Sequence, residues 1–328
     1  SISGISGDAV SGVDSVRVSI LRTSDNYWWN GSSQWVTNET WLEPSGLENW
    51  TYALNLNTLV NGVSYVVSSR ATDRTGNVQT EFGVDTLTYD VTNPNTGLVY
   101  DGLVEGTDQN WSSSTTTISA NWSGFNDVTS GIELYEYSIG STPGATDVLT
   151  WTEGGQETSF TEEVFLATGN AYYISVRATD GAGNISNIAT SNGITIDAVN
   201  PVVTDVIEGD PSFDQDYQQS GSSLVISWAG SDDLRTFRNS RELSNYEVSL
   251  GTTAGEPNAI DWTDVGSVDN YEFTGLNLQE SVTYYANVKA LDLAGNESSV
   301  VSGDGITIDQ SGPVTGSISD GDSVDVDW

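Results

Sequence analysis

The chain of 328 residues contains no cysteine, no histidine and no methionine. These absences exclude disulfides, thiol chemistry, zinc sites built from cysteine or histidine, and every catalytic triad that depends on histidine. Basic residues are also scarce, since 9 Lys+Arg stand against 46 Asp+Glu and the formal net charge is −37. So acidic a chain repels nucleic acid and anionic membrane surfaces and attracts divalent cations. We therefore expect no nucleic-acid partner.

Long hydrophobic runs are missing as well. No stretch approaches the roughly 18 consecutive apolar residues that a membrane-spanning helix needs, so we expect no direct membrane insertion. The chain begins SISGISGDAV, without an initiator methionine, a basic segment or an apolar segment typical of a signal peptide. We expect it to be an internal piece of a longer protein.

Aromatic residues, in contrast, are abundant. The 11 Trp, 14 Tyr and 7 Phe exclude a disordered acidic tail, because such tails carry few aromatics. Thr, Ser, Val, Gly and Asn dominate the rest of the composition and favour short strands joined by turns. No segment shows a sustained helical pattern of apolar residues. The sequence therefore predicts an all-β protein.

An internal repeat organises the chain. The segments ATDRTGN (71–77), ATDGAGN (178–184) and ALDLAGN (290–296) lie 107 and 112 positions apart, and Pro94, Pro201 and Pro313 have the same spacing. One unit of about 110 residues is a typical domain length. We predict three domains, called here the first repeat (1–93), the second repeat (94–200) and the third repeat (201–312), with the start of a further repeat at 313–328.

Strands are visible within each repeat. In NAYYISVRATD (170–180), the side chains of Tyr172, Ile174, Val176 and Ala178 face one way and the intervening residues face the other. This period of two is typical of a half-buried strand, and several such strands separated by turn residues predict an antiparallel β-sandwich. Three sandwiches in tandem predict an elongated array, on the order of 100 Å long.

Two features resemble the fibronectin type III and bacterial Ig-like domains of large secreted, adhesin-like bacterial surface proteins. A tryptophan ends an early strand in two repeats, and a leucine precedes a tyrosine by six residues in all three. The residues are Trp122 and Trp228, and the pairs Leu59/Tyr65, Leu166/Tyr172 and Leu278/Tyr284. The resemblance implies a tyrosine corner, in which the hydroxyl holds the loop at the end of the sandwich. The proline usual within this motif is replaced by Asn61, Thr168 or Glu280.

The repeated Asp-x-x-Gly-Asn segments allow two interpretations. Asp73, Asp180 and Asp292 are candidate calcium ligands, or each segment is a hairpin turn in which the aspartate accepts backbone hydrogen bonds and the glycine adopts a left-handed conformation. One carboxylate per loop is too few for a calcium shell of roughly six to eight oxygens. We favour the turn.

Acidic residues also cluster at the start of each repeat, shortly after the aspartate that ends the preceding one. One hypothesis is that these junctions gather carboxylates around Ca²⁺ and stiffen the hinge, although the spacing does not match an EF-hand loop. The alternative, which the sequence favours, is a solvated acidic face that requires no cofactor. The candidate ligands are Asp90, Asp101, Asp108, Asp197, Asp210, Asp214, Asp216, Asp309, Asp320 and Asp322, with Glu105, Glu208, Asp325 and Asp327 nearby.

Tryptophans crowd the first repeat between positions 28 and 50. Trp28, Trp29, Trp35 and Trp41 are candidates for a glycan-binding platform, since exposed indole rings stack on sugars. They are equally candidates for cross-strand pairs on a hairpin bent around Asn30-Gly31. The two interpretations remain open at this point.

The third repeat carries an insertion with an unusual concentration of positive charge. Five more residues separate Trp228 from Tyr246 than separate Trp122 from Tyr135, and the insertion contains Arg235, Arg238 and Arg241. These arginines either neutralise local acids or contact an acidic face of a neighbouring domain or chain.

No nucleophile, phosphate-binding or dinucleotide motif is present, and we expect no enzymatic activity. The resemblance implies a secreted, extracellular protein at the cell surface, in which the chain is a semi-rigid structural and adhesive stalk. Its expected partners are neighbouring repeats, other copies of the same protein, and cell-surface glycans or proteins. Two alternatives are an accessory module of a polysaccharide-degrading enzyme and a calcium-dependent self-adhesion module.

Overall fold

The computed structural model describes residues 1–209, 212–231 and 243–316. Strands dominate these residues, and the helical element among them is the three-residue 3₁₀ turn Leu56–Thr58. Over the same ranges no helix has the length and apolar character that crossing a membrane requires. The contacts divide the chain into two compact units, whose border passes through the second repeat: residues 1–108, 118–162 and 172–193 form one, and 109–117, 163–171 and 194–328 the other.

The first repeat contains seven strands in two sheets. They are β1 (Ile2–Ile5), β2 (Val13–Arg22), β3 (Tyr27–Trp29), β4 (Trp35–Val36), β5 (Asn49–Tyr52), β6 (Val63–Asp73) and β7 (Gly83–Tyr89). The larger sheet has the order β4-β3-β2-β6-β7, and β1 pairs with β5. Ile20, Trp29 and Tyr65 form the buried centre of this repeat, with Trp50 in a second cluster.

The second repeat contributes strands to both compact units. They are β8 (Leu98–Asp101), β9 (Trp111–Ser112), β10 (Thr117–Ser123), β11 (Ile132–Gly140), β12 (Leu149–Gly155), β13 (Ser159–Glu163), β14 (Ala171–Asp180), β15 (Ala189–Thr190) and β16 (Ile194–Ile196). Antiparallel pairs join β8 to β10, β11 to β12 and β14, and β14 to β15. The short strands β9 and β16 pair in parallel.

The third repeat lies within one compact unit, and its strands form both sheets of a sandwich. Its strands are β17 (Val202–Glu208), β18 (Tyr217–Gln218), β19 (Ser223–Ser231), β20 (Leu243–Gly251), β21 (Ile260–Gly266), β22 (Asn270–Thr274), β23 (Thr283–Asp292), β24 (Val301–Ser302) and β25 (Ile306–Ile308). One sheet has the order β17-β19-β22, and the other β18-β25-β23-β20-β21. Their inner faces share one core, in which Ile226 and Trp228 of the first sheet join Val248 and Val288 of the second.

These sheets confirm the predicted fold class of antiparallel, Ig-like β-sandwiches. The alternation predicted for 170–180 is also confirmed, because Tyr172, Ile174 and Ala178 are buried on β14. Ser175, on the opposite side of the strand, is buried too. Its hydroxyl hydrogen-bonds that of Thr190 at 3.0 Å, because the two residues lie opposite each other where β14 pairs with β15. The domain boundaries at the prolines remain a prediction.

The tyrosine corner is present in the first and third repeats. The Tyr65 hydroxyl accepts the backbone N–H of Val60 at 2.8 Å, and the Tyr284 hydroxyl accepts that of Gln279 at 3.0 Å. In both repeats the donor is the residue that follows the motif leucine. The corner forms without the usual proline because the hydrogen bond uses a backbone donor that any residue except proline supplies.

Replacing Tyr284 by phenylalanine is expected to lower the stability of the third repeat by about 1–2 kcal/mol, because the N–H of Gln279 loses its acceptor. Calorimetric melting of the full chain measures the shift of the third repeat's transition. Tyr285→Phe is the matched control, since the adjacent ring is less buried and faces the other side of the strand. Equal shifts in the two variants would show that the corner contributes nothing specific.

Candidate metal centres

The Asp-x-x-Gly-Asn segments form hairpin turns, as favoured from the sequence. In the second repeat, the Asp180 carboxylate accepts the backbone N–H groups of Ala182 and Asn184 through Oδ1 and the Asn184 amide through Oδ2. Gly183 has a φ of 89°, a conformation that glycine adopts without strain. The segments at Asp73 and Asp292 make the corresponding bonds to Asn77 and Asn296.

The same Asp180 belongs to a cluster of three buried carboxylates. Asp90 follows β7 at the end of the first repeat, whereas Asp127 lies between β10 and β11 and Asp180 ends β14. One carboxylate oxygen of each residue lies within 4.8 Å of those of the other two. Asp90 is 7% exposed, Asp127 8% and Asp180 1%. The first repeat thus places one acid against two acids of the second.

Local hydrogen bonds orient each carboxylate of this cluster. Asp127 Oδ1 accepts the backbone N–H groups of Thr129 and Ser130, and the Ser130 N–H is the largest cause of the lowered pKa of Asp127. Ser130 also donates its hydroxyl to Asp90 Oδ2 at 2.6 Å. Asn184 donates its side-chain amide to the backbone oxygen of Asp90 at 3.4 Å. Asp127 therefore stays ionised close to two further carboxylates, an oxygen-rich arrangement typical of Ca²⁺ ligands.

Parts of this arrangement recur at corresponding positions of the other repeats. Asp197 follows β16 and is 1% exposed, and its backbone oxygen accepts the Asn296 amide at 2.9 Å. Asp292, the counterpart of Asp180, is 3% exposed. Asp233 corresponds to Asp127 by sequence and lies outside the described residues. The second junction therefore repeats the contact between the strand-end aspartate and the following turn.

The acids at the start of the second repeat form a separate group. Asp101 ends β8 and is fully buried, its backbone N–H donates to Asp108 Oδ1, and its Oδ2 accepts the N–H of Gly193 at 3.1 Å. Oδ1 is buried without a hydrogen-bond partner. Burial is the main cause that raises the pKa of Asp101 to about 7. The structure therefore places Asp101 and Asp108 together, and groups Asp90 with Asp127 and Asp180.

The third repeat has a related group with one more carboxylate. Glu208, at the end of β17, is fully buried, and one oxygen of its carboxylate lies within 4.8 Å of oxygens of Asp214 and Asp304. Asp216 is exposed nearby on the chain, and its backbone oxygen accepts the N–H of Thr307. Asp309 is exposed. Asp210, Asp320 and Asp322 lie outside the described residues, as do Arg235, Arg238 and Arg241.

Two tryptophans of the first repeat form a cross-strand pair on a hairpin, which is one of the two interpretations of the sequence. Trp29 on β3 pairs with Trp35 on β4, with ring centroids 5.4 Å apart, and Asn30 Oδ1 accepts three backbone N–H groups of the connecting loop. Trp29 is 2% exposed. Arg22 lies over the Trp35 ring and Arg70 over the Trp41 ring.

Contacts within the protein therefore occupy three of the four tryptophans proposed for glycan binding. Trp28, the fourth, is half-buried on β3. The glycan hypothesis remains a prediction, now centred on this ring.

Sequence reasoning missed Asp127 and Asp304 as candidate ligands. A signal for Asp127 was present, since DAVSGVD (8–14) and DVTSGIE (127–133) share a pattern. Asp8 Oδ1 accepts the N–H groups of Val10, Ser11 and Gly12, much as Asp127 accepts those that follow it. Asp304 carries no such signal, because Asn192 stands at the corresponding position of the second repeat.

Comparison with known proteins gives different results for families, curated sequences and solved structures. No protein-family model matches the chain. It is 27% identical over 249 residues to exoglucanase B of Cellulomonas fimi, an alignment that covers 73% of this chain and 20% of that protein. This chain thus spans about a fifth of that relative's length.

Many solved structures are similar to this chain, and two of them come from bacterial proteins. The fibronectin(III)-like modules of Clostridium thermocellum CbhA give a TM-score of 0.40 at 13% identity, covering 65% of this chain and 94% of that one. A structure from a 1.5-MDa bacterial ice-binding adhesin gives a TM-score of 0.34 at 17% identity, covering 94% of this chain and 90% of that one.

Proposed function

We propose that the chain is a structural and adhesive repeat segment of a long extracellular surface protein, and that its repeats are joined by calcium-stiffened junctions. The observation that carries this proposal is the burial of Asp90, which ends the first repeat, against Asp127 and Asp180 of the second. A hydrogen bond from Ser130 to Asp90 and another from Asn184 to the Asp90 backbone accompany this contact. A flexible linker would leave Asp90 in solvent.

The three carboxylates of this junction fit Ca²⁺. Each keeps at least one oxygen anchored by a backbone or hydroxyl donor, so the carboxylates are positioned before a cation arrives. Ca²⁺ takes carboxylate, carbonyl and water oxygens in flexible geometry, which suits ligands from three separate loops. The salt bridges found among the described residues involve Arg17, Arg22, Arg177 and Lys289, and none of them reaches this cluster.

The net charge of −37 gives calcium a second role. Like charges along a chain of repeats repel one another and favour separated domains. Cations held at the junctions would reduce this repulsion where adjacent repeats meet. The partners proposed on this basis are neighbouring repeats of the same protein.

One open cavity among the described residues supports a non-catalytic role. An open cavity of about 480 Å³ is lined by residues 109–113 and 293–295, and none of these eight side chains is an acid or a base. Proton transfer and nucleophilic catalysis need such groups within reach of a substrate. We therefore propose that the chain has a structural and adhesive role and does not catalyse a reaction.

The test compares the calcium-free chain with the chain in 1 mM Ca²⁺. We expect small-angle scattering to give a maximum dimension on the order of 100 Å, and Ca²⁺ to narrow the distribution of dimensions and raise the melting temperature. Asp90→Asn should remove the part of this response that belongs to the first junction. Glu81→Gln, an exposed change of equal charge in the same repeat, should retain it.

The arms of this experiment separate the two parts of the proposal. A compact particle in both conditions would contradict the stalk. An extended particle whose melting temperature and dimensions do not change with Ca²⁺ would support the stalk and contradict the calcium junction.

The similarity to exoglucanase B of Cellulomonas fimi favours a second candidate, an accessory module of a polysaccharide-degrading enzyme. Retention of the chain on insoluble cellulose, lost on Trp28→Ala, would support this candidate.

A further inference from the structure

The third repeat buries a glutamate with one carboxylate oxygen unsatisfied. Glu208 is 0% exposed, and its Oε1 accepts the backbone N–H of Ala286 at 2.9 Å. Its Oε2 is buried and accepts no hydrogen bond of good geometry. The backbone N–H of Gly305 lowers the pKa of this carboxyl, but burial has the larger effect and raises it. A buried carboxylate oxygen without a donor is costly, so an ionised Glu208 requires a further positive partner.

Two other carboxylates converge on the same place from different parts of the repeat. Asp214 lies between β17 and β18, and its Oδ1 accepts the backbone N–H of Glu208 at 2.9 Å. Asp304 lies just before β25, and the charge of Asp214 is the largest cause of its raised pKa. One oxygen from each of the three residues lies within 4.8 Å of the other two. No salt bridge among the described residues includes any of them.

We propose that Glu208, Asp214 and Asp304 form a site for a hard divalent cation within the third repeat, with Ca²⁺ as the expected ion. A proton would neutralise one of three negative charges, whereas a divalent ion offsets two and can bind an oxygen from every carboxylate. Asp214 and Asp304 are exposed, so water can complete the roughly six to eight oxygens that Ca²⁺ takes. This site lies inside one repeat and does not depend on the junction proposed above.

The second repeat has a corresponding group of side chains without a counterpart of the Asp304 carboxylate. There Asp101 replaces Glu208, and the Ser191 hydroxyl oxygen accepts the N–H of Ile174 at 3.1 Å. In the third repeat Ala286 holds the place of Ile174, and Glu208 Oε1 accepts its N–H instead. The longer glutamate thus takes over a bond that a serine makes in the second repeat.

Two substitutions accompany this longer side chain. Gly303 stands where the second repeat has Ser191, and a Cβ at position 303 would overlap the Glu208 carboxylate. Asp304 stands where the second repeat has Asn192. The three differences together make room for the glutamate and add a negative charge beside it, which is the combination expected of a cation site in the third repeat alone.

Asp304→Asn tests the site, because the equivalent loop of the second repeat already carries asparagine and is expected to accept it. Calcium titration calorimetry of the full chain at pH 8 should show one bound Ca²⁺ fewer, or one site weakened at least about tenfold. Glu272→Gln is the matched control, since it removes one exposed charge from the same repeat. It should leave every site unchanged.

Hydrogen exchange of the backbone amides shows where in the chain Ca²⁺ binds. Ca²⁺ should slow exchange in residues 283–290, where the Ala286 N–H contacts Glu208, in the wild type and in Glu272→Gln but not in Asp304→Asn. The same Ca²⁺ response in Asp304→Asn as in the wild type, or none in the wild type, would overturn the proposal. Slowing confined to residues around Asp90 would support the junction site and count against this one.

Discussion

Replacing Trp122 by alanine is expected to destabilise the second repeat by about 3–5 kcal/mol, a large part of the stability of a small domain. Trp122 is 2% exposed, and its ring lies 5.6 Å from that of Tyr135 and 6.2 Å from those of Tyr137 and Phe160. Tyr137 and Phe160 stack on each other at 4.1 Å. Removing the indole leaves a cavity that these large, mutually packed rings cannot fill by small movements.

Urea titrations with pulse hydrogen-exchange labelling measure the unfolding of each repeat separately. Trp151→Ala is the matched control, because that half-buried ring lies on β12 beneath Arg177 and its loss should cost about 1 kcal/mol. Trp122→Phe should cost less than Trp122→Ala, since it retains part of the packing and removes the indole N–H, which has no hydrogen-bond partner. Equal losses for Trp122→Ala and Trp151→Ala would contradict this account of the core.

The second large effect concerns pH. The pKa of Asp101 is raised to about 7, mainly by burial, from an ordinary value of 3.8. The folded chain therefore binds a proton at Asp101 more tightly than the unfolded chain does. The stability that this proton contributes is complete below about pH 4 and is lost as the pH rises through 7, which amounts to about 4 kcal/mol.

Asp101→Asn should abolish this pH dependence in the second repeat. The asparagine retains an oxygen for the Gly193 N–H and carries no charge, although its amide N–H groups in the place of Oδ1 offset part of the gain. We expect the variant to be more stable than the wild type by about 2 kcal/mol at pH 8.5 and less stable at pH 4.5.

The measurement is the same labelled urea titration, made in EDTA between pH 4.5 and 8.5. The third repeat is an internal control, because burial likewise raises the pKa of Glu208 to about 7 and Asp101→Asn leaves that residue untouched. Parallel pH profiles for the second repeat in the two proteins would show that Asp101 titrates normally.

Predictions that depend on neighbours along the chain were accurate. The turn at 180–184 follows from hydrogen bonds between residues no more than four positions apart, and Gly183 supplies its left-handed conformation. The tyrosine corner spans five positions, from Val60 to Tyr65. The Trp29–Trp35 pair spans a five-residue hairpin loop. Such features are specified locally, so their residue pattern is enough to predict them.

The acidic sites could be predicted only in part. The sequence identified Asp90 and Asp214 among many candidates, but their partners come from distant segments: Asp180 is 90 positions from Asp90, and Asp304 is 90 from Asp214. Sequence spacing also suggested that Asp90 would be near Asp101, eleven positions away. Asp101 instead lies beside Gly193, because β8 carries it into the second repeat's own sandwich.

The sequence by itself determined the repeat, the all-β fold class, the turns and the strongly acidic character, because these depend on composition and on short periodic patterns. Only the tertiary structure decided which of the 46 acidic residues are buried away from solvent. Burial depends on how strand ends and loops from different segments pack, and one extra methylene at Glu208 or one missing Cβ at Gly303 changes that packing. The best candidate cation ligands are therefore the carboxylates that tertiary packing brings together. The density of acidic residues along the chain does not identify them.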